Sequence, residues 1–559
     1  MKQFIPLYFF LLFVHSTNAQ VIIDGFFDDW NDESIVVIEE SNFDSDGTEL
    51  EGLSITNDSE YLYLRITLNE EVDLVDEDPL ASIRIFIDAD SDPNTGYPAS
   101  ANFGSEFGVD FQNRLIYNDE NFPEFYEMSL YSMGIVAMPT ITSKEFEIMI
   151  SRDLLADEIG LLIREEISGD EMPNQGSLLT YQFHEDYSTI EYVSIAKEST
   201  VDLRLLAYNL QHNLFDNQEE FSRIINALDP DVISFSEVSE VSVDQMLSFF
   251  DEYVNYPQWY ASKNGDVMAV SKYPIIEFWS VTSKVGASLI DLPDTEFDTD
   301  FLTLYAHPPC CGNDAGRQYH FDKFIEFILD IQEEGGVGFV SENTPFAFSG
   351  DMNLVGLRQQ YNTIVNGTIY NTAEFGEGGF PDWDNSPLGD AICRITTHTS
   401  AHTWRSNTAN PAVGEYAPGR LDFIFYSNSV ITLTKSFTLD THYLNFGTLN
   451  QWGLDYNDTY STSDHLPIVS DFIFNEENVN PEEVSGCTYP SAINFSNSAT
   501  LDDGSCEFVS CDSAYASGYE QGLIDASESN NCPGDLTNDL IVSTQDLLEL
   551  LTLFGNQCE

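Results

Sequence analysis

The sequence predicts a multidomain chain: an N-terminal β-sandwich, a central α/β four-layer sandwich, and small disulfide-bounded modules at the C-terminus. The central part is expected to hold two packed mixed β-sheets flanked by helices. Three observations carry this reading. Residues 61–68 and 83–87 alternate strictly between apolar and other side chains, the period of a half-buried strand. Between residues 201 and 474, strand-like runs alternate with one-faced helical patterns. Five of the eight Cys fall at the end of the chain: Cys487, Cys506, Cys511, Cys532 and Cys558.

The chain opens with Met1-Lys2-Gln3, a mostly apolar run over residues 4–14, and Ser16-Thr17-Asn18-Ala19. A basic start, a short apolar core and a small residue before the cut fit a secretory signal peptide over residues 1–19. The run is too short to span a bilayer, and no later stretch resembles a membrane span. The mature protein is therefore expected to be secreted, either extracellular or cell-surface-attached. Disulfides are the default there. The expected bridges are Cys487 with Cys506, and one of Cys310 or Cys311 with Cys393.

Twenty basic against 95 acidic residues give a formal charge of −75. Such a surface disfavours non-specific attraction to polyanions and keeps the chain soluble. Residues 201–475 hold 12 basic and 38 acidic residues, so the flanks are the more acidic parts.

Residues 21–197 read as the β-sandwich. Leu62, Leu64, Ile66 and Leu68 share one face of a strand, and Ile83, Ile85 and Ile87 do the same. The cluster Asp90-Ser91-Asp92-Pro93-Asn94-Thr95-Gly96 is a turn. Together with Asp24-Gly25-Phe26-Phe27-Asp28-Asp29-Trp30, these runs resemble extracellular modules related to family 9 carbohydrate-binding modules. The resemblance implies a polysaccharide or surface-attachment role. Asp88, Asp90 and Asp92 alternate in a turn-rich stretch and offer hard oxygen ligands to Ca2+. Trp30 fits either a core or a sugar platform.

Residues 201–474 read as the α/β part. Phe221, Ile224, Ile225 and Leu228 fall on one helix face, and Asp229-Pro230 stops that helix. A second helix is predicted over residues 317–332, with Phe321, Phe324, Ile325 and Ile328 inward. Polar groups recur within or at the ends of the apolar runs: Asn209, Glu237, His307, Asp351, Asp422 and His465. Strand ends can converge on one sheet edge, which is how a layered fold builds a site from distant residues.

Six motifs in order make this part specific. They are Tyr208-Asn209; Glu237-Val238; His307 with Arg317 downstream; Gly350-Asp351-Met352-Asn353; His402-Thr403-Trp404 with Arg420-Leu421-Asp422; and Ser463-Asp464-His465. Together they resemble the endonuclease/exonuclease/phosphatase superfamily, the deoxyribonuclease I-like fold. The resemblance spans about half the chain and implies a Mg2+- or Mn2+-dependent phosphoesterase. It implies Glu237, Asn209 and Asp464 as metal ligands, and Asp351 as the group that orients or deprotonates water. Asn353 would hold a phosphate oxygen or that water. His465 would contact the scissile phosphate with Asp422 orienting it, and His307 would donate to a phosphate oxygen. Which histidine is acid and which is base stays open, and Arg317 is expected either to clamp a phosphate or only to start its helix. The position matched by His307 is often Tyr in the abasic-site repair branch, which argues against that branch.

Residues 475–510 read as an acidic linker and a short Cys-bounded repeat, similar to one in secreted proteins of marine bacteria. Residues 511–559 resemble half a dockerin, with Asp535, Asp539 and Asp546 at calcium-loop positions. Thr537 and Leu540 depart from that pattern. The function expected overall is a secreted phosphodiesterase, with an extracellular nuclease as the leading case. Phospholipid headgroups and small organic phosphates are alternative substrates. A binding protein with a degenerate catalytic domain is the alternative from another class.

Overall fold

In a computed structural model, residues 20–474 are described except 32–35, 40–46, 76–80, 175–176, 186–189, 198–202, 334, 337 and 339. Beyond 474, only Ser485–Gly486 and Leu501–Asp502 are described, and they pair in parallel. The expectations for the signal peptide, the Cys487–Cys506 bridge and the calcium loop at Asp535, Asp539 and Asp546 lie outside the described residues. The chain divides into two compact units, Met1–Asn475 and Glu476–Glu559. No described helix is long and apolar enough to cross a membrane.

The N-terminal region is β-rich. One five-stranded sheet runs Val36–Glu39, Leu50–Asn57, Tyr61–Val72, Ser143–Ser151, Val136–Met138. A seven-stranded sheet is centred on Ile83–Asp88 and Glu158–Glu165. Leu62, Leu64, Ile66 and Leu68 from the first meet Ile83, Ile85 and Ile87 from the second in one core. Alternation thus placed the inward face correctly. Trp30 resolves to core: it is buried, and its Nε1 donates to Glu147 Oε2 at 3.0 Å.

The central region is a mixed-sheet α/β domain. One six-stranded sheet has Val232–Ser236, Leu203–Asn209 and Ile468–Phe474 at its middle. The other has Phe301–Ala306, Phe346–Asp351 and Asp422–Tyr426 at corresponding places. Each sheet contains one parallel pair: Leu203–Asn209 beside Val232–Ser236, and Phe301–Ala306 beside Phe346–Asp351. The sheets face each other across Leu205, Ala207, Ala347, Ile424 and Phe472. Helices Gln218–Leu228 and Val243–Tyr253 cover one outer face, and Asp314–Gln332 covers the other. Strands buried on both faces read as continuous apolar runs, which explains their lack of alternation. The helix at residues 243–253 starts with a reciprocal Ser242–Gln245 capping box, a feature worth about 1 kcal/mol.

The two regions are joined through many polar contacts. Ile23 bridges in parallel to Ser400. Tyr63, on the face that alternation left as outward, is fully buried, with its hydroxyl 2.8 Å from Thr399 Oγ1. Thr140 Oγ1 lies 2.6 Å from the Leu354 carbonyl and 3.2 Å from that of Arg420. Thr142 N donates to Gly356 O at 2.9 Å. The apparent solvent face of this strand is therefore a contact surface.

One bridge differs from expectation. Cys310 pairs with Cys311, and Cys393 is free and buried. Cys393 sits between the sheets, among the side chains of their shared core, whereas Cys310 and Cys311 are exposed on the loop after Phe301–Ala306.

Candidate active site

The parallel pairs explain why the polar groups converge. Asn209 and Asp351 are the last residues of central strands, and Glu237 and His307 follow the last residues of their parallel neighbours. Asp422 enters the antiparallel partner opposite Asp351. His465 precedes the antiparallel strand Ile468–Phe474 and bridges to Trp404. All of these groups therefore reach one rim. Glu237 (φ 57°) and Asn353 (φ 49°) hold left-handed backbone conformations, which cost non-glycine residues energy and cluster at functional sites.

Asn209 Nδ2 links the two central carboxylates, donating to Glu237 Oε1 at 3.1 Å and Asp351 Oδ2 at 3.0 Å. His307 Nε2 lies 3.5 Å from Asp351 Oδ2 and 3.9 Å from Glu237 Oε1. His465 Nε2 lies 3.6 Å from Asp351 Oδ2, and its Nδ1 lies 2.8 Å from Asp422 Oδ2. Glu237, His307 and Asp351 bring ligand atoms within 4.8 Å of one another, as do Asp351, Asp422 and His465. Asp351 belongs to both groups and is buried.

Asp464 is half-buried, accepts from Trp404 Nε1 at 3.1 Å, and belongs to neither group. Asn353 donates its side-chain amide to Pro308 O at 3.0 Å and its backbone amide to Asp351 Oδ1 at 3.0 Å. Its nitrogen thus holds the loop after His307. Arg317 departs from the expected phosphate contact. It is fully buried, and its guanidinium donates to the carbonyls of Pro309 and Cys311, to Gln360 Oε1, and to Asp314. A side chain so enclosed braces the His307 loop and presents no free donor to the cleft.

Several partners were not read from the sequence. Asp266 Oδ2 meets His307 Nδ1 at 2.9 Å and Lys284 Nζ at 2.5 Å. Asp266 is the second residue of the two-residue Gly265-Asp266 turn between Tyr260–Asn264 and Val267–Ser271, and that dipeptide was the available signal. Thr403 Oγ1 donates to Asp422 Oδ2 at 2.8 Å. His212 Nε2 approaches Glu237 Oε2 at 3.4 Å. His398 and His402 are buried at the junction of the two regions.

The electrostatics follow from burial and pairing. Burial disfavours the His465 cation, yet Asp422 and Asp351 carry its pKa up to about 10. Burial also opposes charge on His307, but the Asp266 hydrogen bond and the Asp351 charge raise it. Asp266 is held down at about 2 by His307 and Lys284 despite burial. Burial raises Asp351, against the pull of His465 and His307. The rim thus holds two imidazolium-favouring histidines around one buried carboxyl that resists ionisation. Such a set can donate to anionic oxygens, and Asp351 can accept a proton in its ionised form.

The description "Endonuclease/Exonuclease/phosphatase family" matches residues 206–465, a span that contains Asn209, Glu237, His307, Asp351, Asp422 and His465. No curated protein matches by sequence. Similar solved structures include D. rerio TDP2 complexed with single strand DNA product, at 15% identity, covering 49% of this chain and 99% of that one, TM-score 0.31. An AP endonuclease from Archaeoglobus fulgidus shows 12% identity, 49% and 100% coverage, and TM-score 0.31. Sphingomyelinase C from Streptomyces griseocarneus shows 15%, 48% and 99%, and 0.28. Residues 206–465, just under half of the chain, thus match the Endonuclease/Exonuclease/phosphatase family.

Proposed function

We propose that this protein is a divalent-metal-dependent phosphodiesterase, with nucleic acid as the leading substrate. The observation that carries this reading is the convergence of Glu237, His307 and His465 on the Asp351 carboxyl. The donor set suits Mg2+ or Mn2+, because Glu237 and Asp351 offer hard carboxylate oxygens in one cleft. Glu237 would hold the ion with Asn209 beside it, and Asp464 would add a carboxylate. Such an ion supplies polarisation of a phosphoryl oxygen and neutralises developing charge.

The protein's own groups then take definite roles. Asp422 fixes His465 through Nδ1, leaving Nε2 to donate to a phosphate oxygen. His307, held by Asp266, offers a second cationic donor. With both imidazoles favouring the protonated form, proton removal from water falls to the ionised form of Asp351, a stronger base for its raised pKa. Asn209 holds Asp351 and Glu237 in register. Asn353 keeps the His307 loop in place through Pro308.

We read the location as secreted. Support comes from the leader-like residues 1–19 and from the Cys310–Cys311 disulfide, a bond at home in an oxidising compartment. N-terminal sequencing of secreted protein should begin after Ala19. The reaction is tested by turnover of plasmid DNA, sphingomyelin vesicles and bis(p-nitrophenyl) phosphate, with Mg2+ and with a chelator. Mg2+-dependent cleavage of DNA and the synthetic diester is expected. Headgroup release from sphingomyelin without DNA cleavage would move the substrate to phospholipid. No metal-dependent turnover on any of the three would end the hydrolase reading.

A further inference from the structure

We propose that the N-terminal β region carries a Ca2+ site formed by Asp88, Glu106 and Asp90. These three carboxylates bring ligand oxygens within 4.8 Å of one another. Asp88 ends the strand Ile83–Asp88, and Glu106 lies between Phe103–Ser105 and Phe107–Asp110. Asp90 sits on the exposed loop that follows Asp88.

The second observation is independent of this clustering. Asp88 and Glu106 are only 6% and 5% exposed. Asp88 Oδ1 and Glu106 Oε1 are nevertheless buried oxygens with no hydrogen-bond partner. Among the described residues, no Lys, Arg or His forms an ion pair with any of the three. An acceptor left unpaired away from water is costly, and two such carboxylates side by side are costlier still. A bound cation removes both penalties at once.

The surroundings fit the same occupant. Ala89 N holds the other Glu106 oxygen at 2.8 Å, which fixes the carboxylate. Gly96 has φ +64°, and a Cβ there would lie 2.6 Å from Glu106 Oε1. The absent side chain lets the Ser105 carbonyl pack there, beside that oxygen, where a Cβ would clash with Ser105 O. Two buried carboxylates and a third from an irregular loop suit Ca2+ better than Mg2+, which retains its waters. The expected third ligand, Asp92, does not take part. It is exposed, and its Oδ1 already accepts from the Asn94 backbone and side-chain amides at 3.0 and 2.8 Å. Glu106, 14 residues further on than Asp92, takes its place.

This site is separate from the hydrolase reading and is tested apart from it. Chelator-stripped full-length protein is titrated with CaCl2, and bound calcium is counted by equilibrium dialysis alongside the melting temperature. Glu106→Gln should bind one calcium equivalent fewer than the parent and lose most of the calcium-dependent rise in melting temperature. Asp90→Asn, at an exposed position that leaves the fold intact, should weaken calcium affinity by about tenfold or more. Asp92→Asn should behave as the parent. The proposal is overturned if Glu106→Gln or Asp90→Asn binds as the parent does. It is equally overturned if Asp92→Asn loses the same equivalent, or if Mg2+ at equal concentration gives the same rise.

Discussion

Replacing Asp422 with Asn isolates the charge that holds His465. One oxygen, Asp422 Oδ2, receives both Thr403 Oγ1 and His465 Nδ1 at 2.8 Å. An amide of the same shape keeps one acceptor but loses the negative charge. Its NH2 would then point where Asp422 Oδ1 now lies buried without a partner. The rise of His465 from 6.5 to about 10 corresponds to on the order of 5 kcal/mol, shared mainly between Asp422 and Asp351. Losing the Asp422 share should lower the imidazole pKa by about 1–3 pH units. The rate should fall by roughly 10²–10⁴, in the range expected for a disabled acid–base group. The assay is steady-state hydrolysis of bis(p-nitrophenyl) phosphate with Mg2+ from pH 5 to 10. We expect kcat to drop with KM nearly unchanged, and the alkaline limb to move to lower pH. Thr403→Val keeps the charge and should cost about tenfold or less. An Asp422→Asn enzyme within about threefold of the parent, with an unmoved alkaline limb, would refute this account of His465.

Three further outcomes follow from the same contacts. Arg204→Met strands Asp471, whose carboxylate meets Arg204 at 2.6 and 2.7 Å with both side chains 1% exposed; urea unfolding should show a loss of about 3–5 kcal/mol, and a loss under about 1 kcal/mol would contradict it. Arg317→Met should lower kcat and leave KM and its salt dependence alone, because the guanidinium braces loop carbonyls; a raised KM with unchanged kcat would return Arg317 to the phosphate. Burial pushes His398 down to about 4 and His402 to about 3, so their neutral forms contribute stability above pH 6.5 that is lost as pH falls through 4. Asp24, raised to about 7 by burial, works in the opposite sense. The histidine contribution is therefore read as the difference between the parent and His398→Phe, which should shrink between pH 6.5 and 4.

Much of the site was legible because strand ends are local features. Asn209, Glu237, His307 and Asp351 each follow an apolar run, and the parallel pairs bring those ends to one side. The partners that tune them were not legible, because they depend on register between distant strands. Asp266 reaches His307 only because two hairpins from different sheets pack against each other. Glu106 replaces Asp92 because the loop over residues 90–97 folds back on it. Arg317 matched a family position, yet its surroundings turn it inward. Tyr63 obeyed the alternation of a solvent face, and tertiary packing overrode it. Adjacent Cys310 and Cys311 were expected to reach elsewhere, but the core that encloses Cys393 kept that thiol apart from them.

The hydroxyl of Thr140 touches the carbonyls of Leu354 and Arg420, next to the segments that deliver Asp351 and Asp422. Truncation before residue 201 would therefore be no neutral trimming. The shortened chain would have slack beside the strands that carry Asp351 and Asp422. Heat inactivation should track melting of the amino-terminal sheets.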